Sequence, residues 1–385
     1  MSVIPELQVD VAIVGAGIAG ATAAHVLGRA GRDVALIDTH AKCPSLFRAE
    51  KIEPDQVVLA GRLGVLDLLA SVGTRIQGIH SARGGRIFRV EDRLQYGVDY
   101  PDIVNAVRDA LPKRVQTILG RVTGLEPSET KPTVVLADGR RIAARLVVLA
   151  AGLKTKLAGL LGIGNAMISE GHSIAIGFDV KTLRDVPFPY PALTYYSSRP
   201  EEAYDCISLF PIGDRLRANL FVYRGLKDPW IRRLRDEPDA ALMSLMPSLF
   251  DVCPRFTVTS RVEMVPIDLF RAERAPRAGM VLIADACQAV CPATGTGLSK
   301  VLNDVDVLTK DCIPRWLELP RLPPERIADF YASEQKRRID EASLAAALYQ
   351  KSLSTSTEMT WRVRRIRRYG LAGGSLGAFL SKSAL

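Results

Sequence analysis

Residues 9–15 (VDVAIVG) form an unbroken apolar, β-branched run, the pattern of a strand buried on both faces. Residues 18–31 (IAGATAAHVLGRAG) read as a helix closed by Gly31, and 33–37 (DVALI) as a second buried strand. A βαβ unit therefore opens the chain. A helix is expected over 54–72, starting after Pro54, with Val57, Val58, Leu63, Val65, Leu66 and Leu69 as its apolar positions. Residues 102–111 (DIVNAVRDAL) form a shorter one. Residues 115–149 alternate like short strands with a turn at Asp138-Gly139, and 145–150 (RLVVLA) is again a buried strand.

The pattern changes between about 170 and 270. Runs at 173–180, 193–197, 206–210 and 216–223 read as strands of a sheet, punctuated by proline and glycine. A helical insert follows at 230–250, where Met243 and Met246 are spaced like core positions. Residues 279–284 (GMVLIA) return to a buried strand, followed by a Gly-rich turn, a helix at 297–311 and a long charged helix at 324–350. The order implies an α/β fold with a discontinuous first domain (1–75, 98–168 and 275–350) and a sheet-rich insert (76–97 and 169–274). Residues 351–385 are left as a basic, helical C-terminal tail.

Composition narrows the class. The 385 residues are 48% hydrophobic and 24% charged, as in a globular protein with an ample core. The six cysteines form no CxxC pair and read as free thiols; Cys287 and Cys291 are the one pair close enough to consider as a redox dithiol. The four histidines have no metal-ligand spacing, so no metal is expected. The opening residues lack a basic n-region and cleavage site, and the apolar stretch 11–31 is better explained by its glycines than by a membrane span. A cytoplasmic protein is expected.

Of the net charge of +9, residues 361–385 carry +6 through Arg362, Arg364, Arg365, Arg367, Arg368 and Lys382, leaving a nearly balanced body. That body does not suit nucleic-acid binding. Residues 355–369 suit either a helix packed on the first domain or an interfacial helix at a membrane surface, with Met359, Val363 and Ile366 on one face.

Gly15-Ala16-Gly17-Ile18-Ala19-Gly20 is a GxGxxG sequence between a strand and a helix, the context a dinucleotide requires. Gly15 permits the tight turn, Gly17 lets the backbone approach a pyrophosphate, and Gly20 lets the helix pack on the strand. The helix N-terminus offers N–H groups to the phosphates. Asp38, 18 residues past Gly20, ends the second strand where a carboxylate would accept ribose hydroxyls. These features alone do not separate NAD from FAD.

Residues 281–308 (VLIADACQAVCPATGTGLSKVLNDVDVL) carry Asp285, Pro292, Gly295, Gly297, Asp304 and Leu308 at the spacing GDxxHxxxPxxGxGxNxxxxDxxxL. In this the chain resembles the FAD-dependent monooxygenases of the para-hydroxybenzoate hydroxylase type. The resemblance runs over nearly the whole chain and implies a Rossmann-like FAD-binding domain with an inserted sheet-rich substrate domain. It implies FAD contacts at Gly15, Gly17, Ile18, Ala19, Gly20, Asp38, Arg48, Val122, Gly152, Asp285, Pro292, Gly295, Gly297 and Leu298. A carboxylate at Asp285 suits the ribityl chain, and the helix starting near 297 directs its N-terminus at the flavin edge.

Four positions depart from the family pattern: Ala284 for Gly, Gln288 for His, Ser299 for Asn, and Ala151 for the Asp of the family's Gly-Ala-Asp-Gly strand end. The last leaves FAD contact to Gly152 and leaves open whether NADH, NADPH or neither reduces the flavin. There is no second GxGxxG, since Gly370–Gly377 has the wrong spacing, so NAD(P)H would bind transiently at the domain junction. The Trp-x-Trp of flavin halogenases is absent.

Three readings stay open. One is a monooxygenase that hydroxylates or epoxidises an aromatic or apolar small molecule using NAD(P)H and O2. The second is a flavin-dependent reductase, dehydrogenase or cyclase acting on a lipid such as an isoprenoid. The third is a non-catalytic flavin-binding protein. Tyr195, Phe210, Tyr223 and Pro292 are the candidate pocket residues, and no side chain is singled out as a catalytic acid or base.

Overall fold

The computed structural model describes residues 6–48, 50–153, 156–273 and 275–370. Two sheets organise them. The seven-stranded one runs in the order Val115–Leu119, Val34–Asp38, Leu7–Val14, Arg141–Leu149, Thr133–Leu136, Val122–Glu126, with Met280–Leu282 also paired to Arg141–Leu149. Its centre is parallel, with Val11 opposite Val34 on one side and Leu146 on the other. Helices Ile18–Arg29, Tyr100–Asp109 and Gly297–Asp306 cover one face, and Val11, Ile13, Val34, Leu36, Val104 and Leu302 meet in that core.

The nine-stranded sheet runs Phe256–Val258, Asn165–Thr182, Arg215–Val222, Tyr204–Ile212, Leu193–Tyr196, Thr74–Arg83, Arg86–Gly97, Lys51–Ile52, with Glu263–Ala272 beside Asn165–Thr182. Alternation sorts its side chains. Ile174, Ile176, Phe178, Ala218, Leu220 and Val222 face a core closed by helices Pro229–Asp236 and Pro238–Leu245. Ser173, Ala175, Arg217, Asn219, Phe221 and Tyr223 are on the other face, where Arg217 reaches Glu50 and Ser173 reaches Cys291.

Several expectations are corrected. The helix at 54–72 is two helices, Pro54–Arg62 and Leu66–Ser71, because Gly64 takes a left-handed conformation and the N–H of Val65 caps Ala60. The helix at 324–350 is also two, Pro324–Ala332 and Glu334–Thr355, broken where Ser333 turns extended. The helix at 297–311 ends at Asp306 and continues as a wider π turn, Val307–Cys312. Met246 is core, but Met243 is 39% exposed. Lys51–Ile52 belongs to the second sheet, although it lies in the range read as the first domain. Of the tail, helix Met359–Gly370 is described, whereas Lys382 and the glycines beyond 370 lie outside the described residues.

Candidate functional site

The first strand stops at Val14, and the chain reverses through Gly15 at φ +99°. A Cβ there would sit 2.6 Å from the carbonyl oxygen of Ala150, and one on Gly20 would sit 1.9 Å from the oxygen of Gly15. Helix and strand are thus in backbone contact, and the helix N-terminus lies directly above the strand ends. Gly17 is the helix N-cap, and Ile18 and Ala19 are buried in its first turn.

Asp38 ends the second strand facing this turn. It accepts from the N–H of Ala16 at 2.7 Å and from that of His40 at 2.9 Å. Two residues not anticipated from the sequence complete the arrangement. Arg108 donates to the carbonyl of Ala16 at 2.7 Å and pairs with Asp38 at 3.3 Å. The Tyr100 hydroxyl accepts from the N–H of Ile18 at 3.3 Å. Both stand on helix Tyr100–Asp109, eight residues or just over two turns apart.

Across the strand ends, the second motif forms a cradle. Pro292 starts a 3-10 turn, Gly295 turns at φ +70°, and Gly297 and Leu298 open helix Gly297–Asp306. The first helical bond is Lys300 N–H to Thr296 at 3.0 Å, so the N–H groups before it have no carbonyl in their own helix. Asp285 sits in the turn after Met280–Leu282. Burial holds its pKa above the usual carboxylate range, opposed by Lys300 and Arg48.

That turn is pinned from behind. Asp304 accepts from the N–H of Ala284 at 2.8 Å and from Lys336 at 3.0 Å. Burial pushes its pKa up, but Lys300 and Lys336 outweigh burial and hold it below the usual value. Ala284 stands at φ +56°, a conformation glycine adopts more readily, so the family's usual residue there has a backbone reason.

The other departures also have structural roles. Ser299 donates to Asp55 at 2.6 Å and accepts from Gln56 at 3.0 Å, tying two helices together. Gln288 is buried, accepting from Arg271 and donating to the carbonyl of Asp340 at 2.9 Å. Gly152 takes φ +76° at the strand end, beside Ala151. Val122 starts the strand paired to Thr133–Leu136. The Cys287 thiol is pushed up by burial and Cys291 to about 11, so neither has the thiolate character of a redox dithiol.

The second sheet meets this cradle where Ser173 and Arg271 reach the 285–298 segment, and a charge cluster marks its far edge. At that far edge, Arg217 makes a bidentate pair with Glu50 at 2.8 and 2.9 Å, and Asn219 donates its amide to Glu50 at 2.8 Å. At the other, Ser173 meets Cys291 at 3.5 Å, immediately before Pro292. Between the edges the register places Gly177, Asn219, Ser208, Thr194 and Ser81 in one row, and Ala175, Phe221, Cys206 and Tyr196 in the next. The Thr194 and Ser208 hydroxyls lie 3.4 Å apart, both buried.

This floor differs from the expected one. Tyr195 lies on the opposite face, packed in the core with Tyr204 and Leu209, because alternation sends it away from the junction. Phe210 is on the junction side but fully buried in a small core with Ile76, Ile79 and Ala192. Tyr223 is on the floor, its ring edge-on to His172 and its buried hydroxyl without a partner among the described residues. Burial and Lys351 lower the His172 pKa to about 4.

Arg217 also meets Asp179 at 3.2 Å and Glu263 at 2.8 Å, so one guanidinium serves three carboxylates. Burial raises the Glu50 pKa to about 7 despite the hydrogen bond from Arg217. The folded protein therefore holds a proton on Glu50 that the unfolded chain releases near its ordinary value. This contribution is fully present below about pH 4.5 and is lost as pH rises through about 7. The denaturation midpoint is expected to fall across that window by the equivalent of about 2 kcal/mol, and to stay flat in Glu50→Gln. Denaturant titrations at pH 5 and 7.5 check this; equal slopes in both proteins would remove Glu50 as the source.

The strand ends thus offer the groups an FAD needs: a backbone-tight phosphate turn, a ribose carboxylate, a buried carboxylate at Asp285 and a free helix N-terminus. Residues 8–311 match the family model of the FAD binding domain. The FAD-dependent monooxygenase DEP2 of Fusarium langsethiae is 31% identical over 160 residues, covering 38% of this chain and 30% of that protein. Squalene monooxygenase of Rattus norvegicus is 23% identical over 380 residues, covering 91% of this chain and 63% of that protein. The chain therefore spans less than two thirds of the length of either relative. The p-nitrophenol 4-monooxygenase PnpA from Pseudomonas putida DLL-E4 superposes with a TM-score of 0.77 at 15% identity, over 98% of this chain and 97% of that one. The chain belongs to the FAD-binding-domain family, with the para-hydroxybenzoate hydroxylase-like fold, and its cofactor is FAD.

Proposed function

We propose that this protein is an FAD-dependent monooxygenase that hydroxylates or epoxidises an aromatic or apolar small molecule at the junction between the two sheets. The carrying observation is the FAD cradle at 285–298 facing a closed sheet floor, held to it by the Ser173–Cys291 and Arg271–Gln288 contacts. The monooxygenase names of the two relatives support it. Bound FAD would supply the redox chemistry, passing two electrons from NAD(P)H to O2 so that one oxygen atom of O2 enters the substrate and the other leaves as water.

The chain's own residues bind, orient and exclude water. Gly15 to Gly20, Asp38 and Arg48 hold the nucleotide end, with Val122 and Gly152 beside it. Asp285, Pro292, Gly295, Gly297 and Leu298 hold the flavin end. Phe221 and Ala175 give the substrate an apolar bed, and Pro292 covers it. Among the described residues the Thr194 and Ser208 hydroxyls bond only each other, at 3.4 Å, which leaves them capacity to orient a polar handle on the substrate. Replacing both (Thr194→Val with Ser208→Ala) is expected to raise KM for a hydroxylated aromatic about tenfold, near the worth of one or two hydrogen bonds, while leaving an unsubstituted analogue unchanged. Steady-state kinetics on the matched pair measures it.

Anaerobic visible spectra with NADH or NADPH, over a panel of aromatic and isoprenoid compounds, test the reading. Bleaching accelerated by one compound, then 18O2 incorporation into it, is the expected result. Ala151 favours a second reading, a reductase, dehydrogenase or cyclase acting on a lipid or isoprenoid, because the family's Asp is missing there. A flavin that NAD(P)H never bleaches, but that the compound itself reduces, would replace the first reading with the second. We place the protein in the cytoplasm, with peripheral membrane contact through residues 355–369; among the described residues no helix is long and apolar enough to cross a membrane.

A further inference from the structure

Helix Met359–Gly370 carries five arginines and no acid. It meets the body through one side only. Trp361 packs edge-on against Tyr349 at 5.3 Å, and Arg365 donates to the carbonyls of Leu353 and Ser356, both at 2.8 Å. Tyr369 lies 5.4 Å from Tyr196 and 5.6 Å from Phe88, with Arg83 above it at 4.7 Å. The helix thus docks on the second sheet and on helix Glu334–Thr355, most of which lies in the range read as the first domain.

Its aliphatic residues face the other way. Met359, Val363 and Ile366, spaced four and three apart, form one stripe and are 67, 41 and 59% exposed. At about 100° per residue, Arg362 falls on one flank of that stripe and Arg367 on the other. A helix that only packs on its own protein buries its apolar stripe. This one buries aromatic rings and holds its aliphatic stripe outward between arginines.

A second element extends the surface. Phe88, which touches Tyr369, belongs to hairpin Thr74–Arg83 and Arg86–Gly97, where Arg86 and Arg89 are exposed and Val90 is 62% exposed. The nearby acids are engaged: Glu91 pairs with Arg93 and Asp92 accepts from Gln77. A cleft of about 370 Å³ between hairpin and helix has Arg86, Ile87, Phe88 and Tyr369 in its wall.

We propose that the terminal helix and this hairpin form one docking surface for an anionic phospholipid bilayer. The aliphatic stripe enters the interface, and Arg362, Arg367, Arg86 and Arg89 meet lipid phosphates. Polyanions such as nucleic acid would engage the arginines but give Met359, Val363 and Ile366 nothing to bury against. The inference stands apart from the reaction, since none of these residues lies at the FAD cradle.

The test is co-sedimentation of the full, FAD-loaded chain with vesicles of phosphatidylcholine alone or mixed with phosphatidylglycerol. Binding is expected only to the mixed vesicles. Each arginine contributes about fivefold, so the double change Arg362→Glu with Arg367→Glu lowers partitioning at least tenfold. Val363→Asp with Ile366→Asp abolishes it, and both variants keep the wild-type flavin spectrum. Equal binding to both vesicle types, or no binding, would overturn the proposal. So would binding lost on charge reversal yet unaffected by Val363→Asp with Ile366→Asp, especially if heparin competes equally for both proteins; that outcome marks a simple polyanion site.

Discussion

Gly20→Ala is expected to purify as a colourless protein. The added methyl would sit 1.9 Å from the carbonyl oxygen of Gly15, a backbone atom that no rotamer can move aside. The helix must lift from the strand, and overpacking of this kind costs about 1–3 kcal/mol in stability. The larger effect is on the cofactor. The lifted helix carries its free N–H groups away from the pyrophosphate and strains the turn through Ala16 and Asp38. An FAD affinity at least about 100-fold weaker follows if some 3 kcal/mol of that alignment is lost. Gly15→Ala adds a left-handed φ to a 2.6 Å clash and is expected to do the same. Flavin absorbance per protein and an FAD fluorescence titration measure both. Native affinity in Gly20→Ala would mean that the nucleotide sits elsewhere.

The second large effect is on the charge cluster at the edge of the second sheet. Arg217 is 4% exposed and sits 5.4 Å from the Phe47 ring centroid. Its loss leaves Glu50 and Glu263 without their cation, whereas Asp179 keeps Arg215 at 3.1 Å. Removing one partner of a buried pair costs about 3–5 kcal/mol, mostly the penalty of the charge left behind. Arg217→Met keeps the length and apolar stem, so the lost charge dominates. We expect a stability loss of about that size, largest at pH 8 and relieved toward pH 5 as the carboxylates take up protons. Denaturant unfolding at both pH values checks it. An unchanged midpoint would mean that Glu50 and Glu263 reach solvent once the arginine is gone.

The nucleotide half of this site was readable because its chemistry is local. GxGxxG, the strand before it and Asp38 lie within 30 residues, and each glycine answers to a steric contact in one βαβ unit. The motif at 285–308 is local in the same way. The floor is not. Thr194, Ser208 and Asn219 come from three strands, and only register brings them into one row. Part of it was nonetheless visible. Leu216, Ala218, Leu220 and Val222 alternate with Arg217, Asn219 and Phe221, so period two puts an arginine and an amide on the face opposite the apolar core. The same rule separates Tyr195 from Thr194 and turns the hydroxyl, not the ring, toward the junction. The helix breaks at Gly64 and Ser333 were missed for another reason: the apolar period continues through both, and a backbone turn leaves it intact.

The placement of Asp304 has a consequence in time. Its carboxylate pins the turn at Ala284 and answers Lys300 and Lys336, and the helix that bears it covers the opening βαβ unit. The ribosome delivers that helix nearly 300 residues after the first strand. At about 5–20 residues per second, the nascent nucleotide fold waits tens of seconds with one flank bare. Through that interval the strand Leu7–Val14 has no covering helix from the C-terminal segment, and its partner strand Arg141–Leu149 arrives midway. The chain is thus slow to close by topology alone, and its most exposed period, when chaperones matter most, falls while the second sheet is still being made.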